Sequence, residues 1–456
     1  MRYPEHIFKA YDIRGLVGTE LSSEFAYALG RAFVVFLRGI GQDLSAKNIV
    51  VGYDMRPSSQ DYYREVIRGI TDQGVDVVNI GMTSTPVFNF TCAHVEGHAG
   101  GIMVTASHNP AEWNGFKLAF GDGLPIGLGN GGSEIQKIME AGDWSEVGLK
   151  GIEKSFDALY LYIQHIFSLV SKDSLHPFKV VVDFGNGMGS VVLPEVIKQL
   201  PIEVVYLYDT PDGTFPNHEA NPLKLETLQD LQKKVLEVGA DFGFALDGDA
   251  DRIGLVDEKG DVVEASYVGA ILGSEVLRAH GGGKMLYDLR SSMKVAEVWR
   301  EAGGEPVMSR VGRAFIVGEM KKLGAIFGSE LSLHLFYQDM HDLESSDLSF
   351  LYVSQLLSRE GKPLSVLVKS LKTYFHSGEI NFEVHDTDGT LVRVEEFYKS
   401  QAQEITHLDG VLLKFDWGWI NLRKSNTEPV VRLNLEAKTK EKMESMLEEV
   451  KNLIEK

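Results

Sequence analysis

Ser107 stands just past the apolar run Gly101-Ile102-Met103-Val104, within Thr105-Ala106-Ser107-His108-Asn109-Pro110. A hydroxyl beside a base at the exposed end of a buried strand is how a nucleophile or a phosphate carrier is presented. Asn-Pro forces a turn after it, and Lys117 follows ten residues on. A Ser/Asn/Pro turn that merely closes a strand has the same composition, so this hexapeptide needs support from the other polar loops.

Asp247-Gly248-Asp249-Ala250-Asp251-Arg252 follows the apolar run ending at Leu246. In an extended loop alternate side chains point the same way, so the three carboxylates can converge. Converging carboxylates repel one another unless a cation lies between them. Oxygen-only ligands favour a hard cation, with Mg²⁺ the default, which leaves Arg252 for a substrate or phosphoryl oxygen. A solvated acidic turn or a calcium loop is the alternative; an EF-hand is not expected, because the chain continues as Ile253–Asp257, more strand than helix. Arg423-Lys424-Ser425-Asn426-Thr427-Glu428-Pro429 puts two cations, two hydroxyls and an amide on one turn, which makes an anion cradle or a polar hairpin. Glu330, Ser332 and His334, at alternate positions after a predicted strand, could line one face and bond vicinal hydroxyls. Arg14 and Tyr11 precede a glycine turn at Gly15, where Arg14 could grip a phosphate bidentately. Gly185-Asn186-Gly187-Met188-Gly189 lacks dinucleotide-fingerprint spacing and reads as a tight strand-to-helix turn.

The chain that positions these loops has 456 residues, 44% hydrophobic and 24% charged, which is a soluble globular composition of roughly three or four domains. No apolar run approaches the roughly 18 residues of a membrane span, and residues 1–6 lack the apolar core of a signal peptide. The single cysteine, Cys92, excludes an intrachain disulfide and fits a reducing cytoplasm. A net charge of -20 argues against nucleic-acid binding, so an anionic substrate requires a local basic island. The Arg423 loop is such an island.

Apolar β-branched runs alternate with amphipathic helices over the first two thirds, which predicts an α/β fold with mostly parallel or mixed sheets. Strands are expected at 48–52, 75–80, 101–105, 179–183, 203–208, 241–246, 285–288 and 325–328. Helices are expected at 22–37, 59–72, 135–141, 155–169, 190–199, 224–237, 265–279 and 293–301. Residues 121–132 are glycine-rich and suggest a mobile surface loop. Beyond residue 370 the texture changes to α+β, with strands at 380–384, 411–416, 419–422 and 430–436 and a charged helix from 440 to 456. Domains are expected at 1–150 (serine loop), 151–257 (metal loop), 258–370 (sugar loop) and 371–456 (phosphate loop). Ligands of open α/β sheets bind beyond the carboxyl ends of strands, where these loops lie.

In order and spacing the Tyr11–Gly15, Thr105–Pro110, Asp247–Arg252 and Arg423–Pro429 segments, with Phe215-Pro216-Asn217-His218, resemble the α-D-phosphohexomutase family over the whole chain, and its phosphomannomutase/phosphoglucomutase branch in particular. The resemblance implies three similar α/β domains and a different C-terminal domain around a central cleft. It implies a monomeric or homodimeric isomerase that interconverts hexose 1- and 6-phosphates through a phosphoserine and a hexose 1,6-bisphosphate. Ser107 would carry the phosphoryl group. Asp247, Asp249 and Asp251 would hold Mg²⁺ with a phosphoserine oxygen. His108 and Lys117 would assist proton transfer, Arg14 would contact the moving group, and His334 would lie near the reacting end. Glu330 and Ser332 would bind sugar hydroxyls, while Arg423, Ser425, Asn426 and Thr427 would grip the nonreacting phosphate, with Tyr11, Arg252, Arg290 and Arg313 as further substrate contacts.

Five positions depart from the family pattern. Ser329 and Leu333 stand for glycines in the sugar loop, Ala250 for a glycine in the metal loop, Arg313 for a histidine and Arg290 for a lysine. They cluster at substrate recognition. A leucine at 333 adds bulk and removes backbone freedom where a sugar must approach. A phosphoglucosamine mutase, a phosphatase acting through the same phosphoserine and a noncatalytic sugar-phosphate-binding homologue are the competing readings.

Overall fold

The apolar runs of the first third assemble into one mixed sheet, as their β-branched content favours. The computed structural model describes residues 3–144, 148–424 and 430–455. Strands β1 (Ile13–Leu16), β2 (Asn48–Tyr53), β3 (Val77–Met82), β4 (His98–Val104), β5 (Trp113–Phe120), β6 (Pro125–Ile126) and β7 (Glu153–Ser155) take the order β1-β5-β4-β2-β3-β7, with β6 on β5. β2 is parallel to β3 and β4, and β5 returns antiparallel on β4, which sets Lys117 opposite Met103. Arg14 and Gly15 lie inside β1, paired with β5, rather than before a turn. Residues 121–132 contain β6 and a helical turn over Leu128–Gly132. Ile126 is buried and pairs with Leu118, and the Asn130 side chain accepts from the Gly127 amide while donating to Pro125.

A second sheet, in the order β12-β11-β10-β8-β9, uses β8 (Phe178–Asp183), β9 (Ile202–Leu207), β10 (Phe242–Leu246), β11 (Ile253–Asp257) and β12 (Val262–Val263). β10 and β11 form an antiparallel hairpin whose connection is the Asp247–Arg252 loop. The Gly185–Gly189 turn holds Gly185 and Asn186 at φ of 52° and 59°, as a tight turn requires. The helix expected at 190–199 is broken into a 3₁₀ turn and Leu193–Ile197, with Pro194 at its start.

The chain divides into two units, Met1–Val263 with Ser332–Leu364, and Glu264–Leu331 with Ser365–Lys456. In the second unit β13 (Gly283–Asp288), β14 (Gly304–Ser309) and β15 (Phe327–Ser329) are parallel. The antiparallel pair β16 (Leu335–Tyr337) and β17 (Leu343–Glu344) belongs to the first unit. The C-terminal sheet holds β18 (Phe375–His376), β19 (Ile380–Glu383), β20 (Glu404–Thr406), β21 (Val411–Phe415), β22 (Gly418–Lys424) and β23 (Val430–Ala437), and its β22–β23 pair is antiparallel, with Arg423 opposite Arg432. Among the described residues no helix is long and apolar enough to cross a membrane.

Helices α1 (Ser23–Gly39) and α2 (Ser59–Thr71) touch backbone to backbone, and glycines make the approach possible. A Cβ on Gly69 would lie 2.3 Å from the Tyr27 carbonyl oxygen, and one on Gly30 would lie 2.4 Å from that of Val66. Gly39, at the end of α1, has open space. Gly69→Ala is expected to destabilise the protein by about 1–3 kcal/mol, because overpacking outweighs alanine's helix propensity. Gly39→Ala is expected to be neutral or stabilising by up to about 1 kcal/mol. Urea unfolding midpoints of the two variants test the contrast.

Candidate active site

Ser107 follows β4 and is 1% exposed, so it is buried rather than displayed at an exposed strand end. Its backbone is left-handed, at φ 52°, a conformation that costs a non-glycine residue of order 1–3 kcal/mol and persists where neighbours over-determine it. Its amide donates to Thr105 Oγ1 (3.0 Å), and its hydroxyl donates to Asp247 Oδ2 (2.8 Å) and lies 3.2 Å from His108 Nδ1. Burial, then the cations of Arg252 and Arg14, push the His108 pKa far down, so the imidazole is held neutral.

The three aspartates converge through a turn, not an extended loop. The Ala250 amide donates to the Asp247 carbonyl, the Asp251 amide donates to Asp247 Oδ1, and Ala250 takes φ 63°. Gly248 packs against the serine loop, where a Cβ would lie 2.3 Å from the Ser107 carbonyl oxygen. One oxygen from each of Asp247, Asp249 and Asp251 lies within 4.8 Å of the others, and all three residues are buried. Lys117 Nζ donates to Asp249 Oδ2 and Asp251 Oδ2, both at 2.6 Å. Burial, reinforced by Asp251 and Asp249, raises the Asp247 pKa well above the carboxylate range. For Asp251 burial is outweighed by Lys117 and His334, and its pKa falls. Asp249 Oδ1 and Asp251 Oδ1 are buried without a hydrogen-bond partner among the described residues. Three buried carboxylates, two of them with an unpartnered oxygen, fit a hard divalent cation.

Arg252 is not free, because its Nε donates to His334 Nε2 (3.1 Å) and lies within 4 Å of Asp247 and Asp251. His334 Nδ1 is 2.9 Å from Ser332 Oγ. Arg14, on β1, donates to Asp12 (2.7 Å), to the Ala106 carbonyl (3.2 Å) and to Asn109. Tyr11 sits half-buried just before β1.

Sequence reasoning missed three supports. The Arg56 guanidinium is fully buried and donates to the carbonyls of Ser107 (2.8 Å), Asn109, Pro110 (2.7 Å) and Trp113 (2.8 Å), with Asp54 3.3 Å away as counterion. Its signal was available, since Asp54-Met55-Arg56-Pro57 is another polar loop at a strand end. Thr85 Oγ1 donates to Asp249 Oδ2 (2.5 Å), and Ser346 Oγ donates to the Ala250 carbonyl (2.6 Å). Both begin helices, Thr85–His94 and Ser346–Glu360, that the periodicity did not reveal.

In the second unit Glu330 accepts from the Gly312 amide (2.8 Å), next to Arg313 at the start of the helix Arg313–Leu323. Glu330 belongs to the second unit, and Ser332 and His334 to the first. Arg290 binds Asp288 with Nε (3.3 Å) and Nη2 (2.7 Å). Arg423 is buried, with Nη2 donating to Glu379 (2.8 Å). Ser425, Asn426 and Thr427 lie outside the described residues. Leu333, at φ 67°, and Ala250, at φ 63°, both take the left-handed backbone that favours glycine, and both are buried.

The chain matches the models for phosphoglucomutase/phosphomannomutase alpha/beta/alpha domain I over residues 5–146, domain II over 160–260, domain III over 264–374 and the C-terminal domain over 379–453. It is 40% identical over 440 residues, 94% of either chain, to a phosphomannomutase of Salmonella montevideo. It is 36% identical over 457 residues, 99% of this chain and 98% of the other, to a phosphomannomutase of Methanocaldococcus jannaschii. The crystal structure of a phosphoglucomutase/phosphomannomutase family protein from Burkholderia thailandensis superposes with a TM-score of 0.90 at 30% identity, covering 99% of this chain and 97% of that one. The buried serine, its aspartates and these matches together make the chain a member of the phosphoglucomutase/phosphomannomutase family, an isomerase that acts on hexose phosphates.

Proposed function

We propose that this mutase moves a phosphoryl group between the 1- and 6-hydroxyls of mannose and glucose phosphates, with phospho-Ser107 as the carrier. One observation carries the assignment: the Ser107 hydroxyl touches Asp247 within a cluster of three buried carboxylates that calls for a cation. Asp247, Asp249 and Asp251, with a phosphoserine oxygen, would hold Mg²⁺, which when bound supplies positive charge to the transferring group.

The sugar hydroxyl attacks phosphorus, and the bond to Ser107 Oγ breaks. Neutral His108 accepts the hydroxyl proton, and the Lys117 ammonium provides one to the departing serine oxygen. Arg14 faces the moving group, and His334 is the second imidazole at the site. The bisphosphorylated sugar then turns over and returns its other phosphoryl group to Ser107. Arg423, Ser425, Asn426 and Thr427 hold the nonreacting phosphate in both orientations. Glu330 and Ser332 bond the sugar hydroxyls, with Tyr11, Arg252, Arg290 and Arg313 around them.

Ser107→Ala is expected to reduce mutase turnover to background while hexose-phosphate binding by calorimetry persists; substantial turnover in that variant sinks the carrier role. Lys117→Met removes a cation already lodged between Asp249 and Asp251, so Mg²⁺ should bind more tightly to the unphosphorylated protein while turnover falls by about 10² or more. Weaker Mg²⁺ binding in that titration counts against the site. In a coupled assay primed with glucose 1,6-bisphosphate, mannose and glucose 1-phosphates should turn over faster than glucosamine 1-phosphate. The reverse order reassigns the substrate, and no turnover of any of the three supports a noncatalytic homologue.

A further inference from the structure

The second unit contains a charge problem that the family motifs do not explain. Arg423 and Arg432 are directly opposite one another across β22 and β23, and like charges at such positions repel. One carboxylate answers both. Glu379, just before β19, accepts from Arg423 Nη2 (2.8 Å) through Oε2 and from Arg432 Nη1 (3.3 Å) through Oε1. Glu379 Oε2 also lies 3.6 Å from Arg290 Nη1 and 3.5 Å from Asn434 Nδ2. Burial opposes its charge, but Arg423 and Arg290 outweigh burial and hold the carboxyl ionised below its ordinary range.

The arginines are only partly consumed by this arrangement. Arg423 Nε is buried and has no hydrogen-bond partner among the described residues. A buried guanidinium N–H without a partner is costly and calls for an acceptor. Arg290 places Nε and Nη2 on Asp288 and still turns Nη1 toward Glu379. A lysine, with one point-like ammonium, cannot make that forked approach. The His376 ring reaches the Arg290 carbonyl (3.1 Å), a second link between the strand end at Asp288 and the C-terminal sheet.

We propose that Glu379 is a positioning residue for the substrate's nonreacting phosphate: it neutralises the facing arginines in the absence of ligand and fixes Arg423 and Arg290 so that their unused N–H groups meet the phosphate. The proposal rests on the assignment of Arg423 to that phosphate. Because one phosphate site serves the sugar in both orientations, loss of Glu379 affects the 1- and 6-phosphates alike.

Calorimetry in the Ser107→Ala background, where no turnover intervenes, tests it with glucose 1-phosphate and glucose 6-phosphate. Glu379→Ala should weaken both by roughly tenfold or more, the equivalent of a charge-assisted hydrogen bond, and Glu379→Gln should weaken them less. In the active enzyme KM should rise by the same factor for both sugars and by more than kcat falls. Thermal melts of each variant separate this from loss of folding. Unchanged or tighter binding by a folded Glu379→Ala protein overturns the proposal, and tighter binding identifies the glutamate as a competitor for the arginines. Arg423→Ala distinguishes the two levels: if it leaves sugar-phosphate binding intact, the phosphate-site assignment itself fails.

Discussion

Three carboxylates buried side by side set the terms for the rest of the first unit. At an effective dielectric of 20, unit charges 4.8 Å apart repel by about 3.5 kcal/mol, so no two of Asp247, Asp249 and Asp251 ionise together without compensation. The fold answers in two ways. Lys117 on β5 reaches across to Asp249 and Asp251, while Asp247, left beside the serine, is pushed toward its protonated form. A divalent cation resolves the same repulsion more completely, and the phosphoryl group on Ser107 would add further negative charge for it to neutralise. The serine, the lysine and the aspartates are therefore one electrostatic unit. Arg56 supports that unit: buried and gathering four carbonyls, it fixes the serine loop.

The second unit solves the mirror-image problem. Its cations are close-set by sheet register, and Glu379 supplies the negative charge that keeps them together. In both places a fixed internal counterion balances a cluster of like charges. This arrangement suits a protein with a net charge of -20, whose overall field opposes anionic substrates and whose basic groups must be concentrated locally.

How far the sequence revealed this follows from what sequence patterns encode. Strands such as Asn48–Tyr53 and Phe178–Asp183 were legible because continuous β-branched runs mark sheets covered on both faces. The polar loops were legible because they interrupt those runs. The helices Thr85–His94 and Ser346–Glu360 were not, because both are buried on nearly all sides and present no polar stripe for a helical period to detect. Their loss concealed Thr85 and Ser346. Arg56 lay in a legible polar loop at a strand end, but a lone arginine there does not disclose which carbonyls it will collect. Glu379 was hidden because its partners lie 44 and 53 residues away along the chain.

The departures from the family pattern divide along the same physical line. Ala250 and Leu333 accept left-handed backbone where glycine would be unstrained, at about 1–2 kcal/mol each. Their surroundings hold them there: Ser346 grips the Ala250 carbonyl, and the Leu333 carbonyl accepts from the Ile253 amide (3.4 Å). Both residues therefore hold turn conformations that a glycine takes without strain. Arg290 is different in kind, because a fork replaces a point charge and ties Asp288 to Glu379 through one side chain. The Arg290 departure therefore changes how charge is held in the second unit, whereas Ala250 and Leu333 bear only on backbone strain.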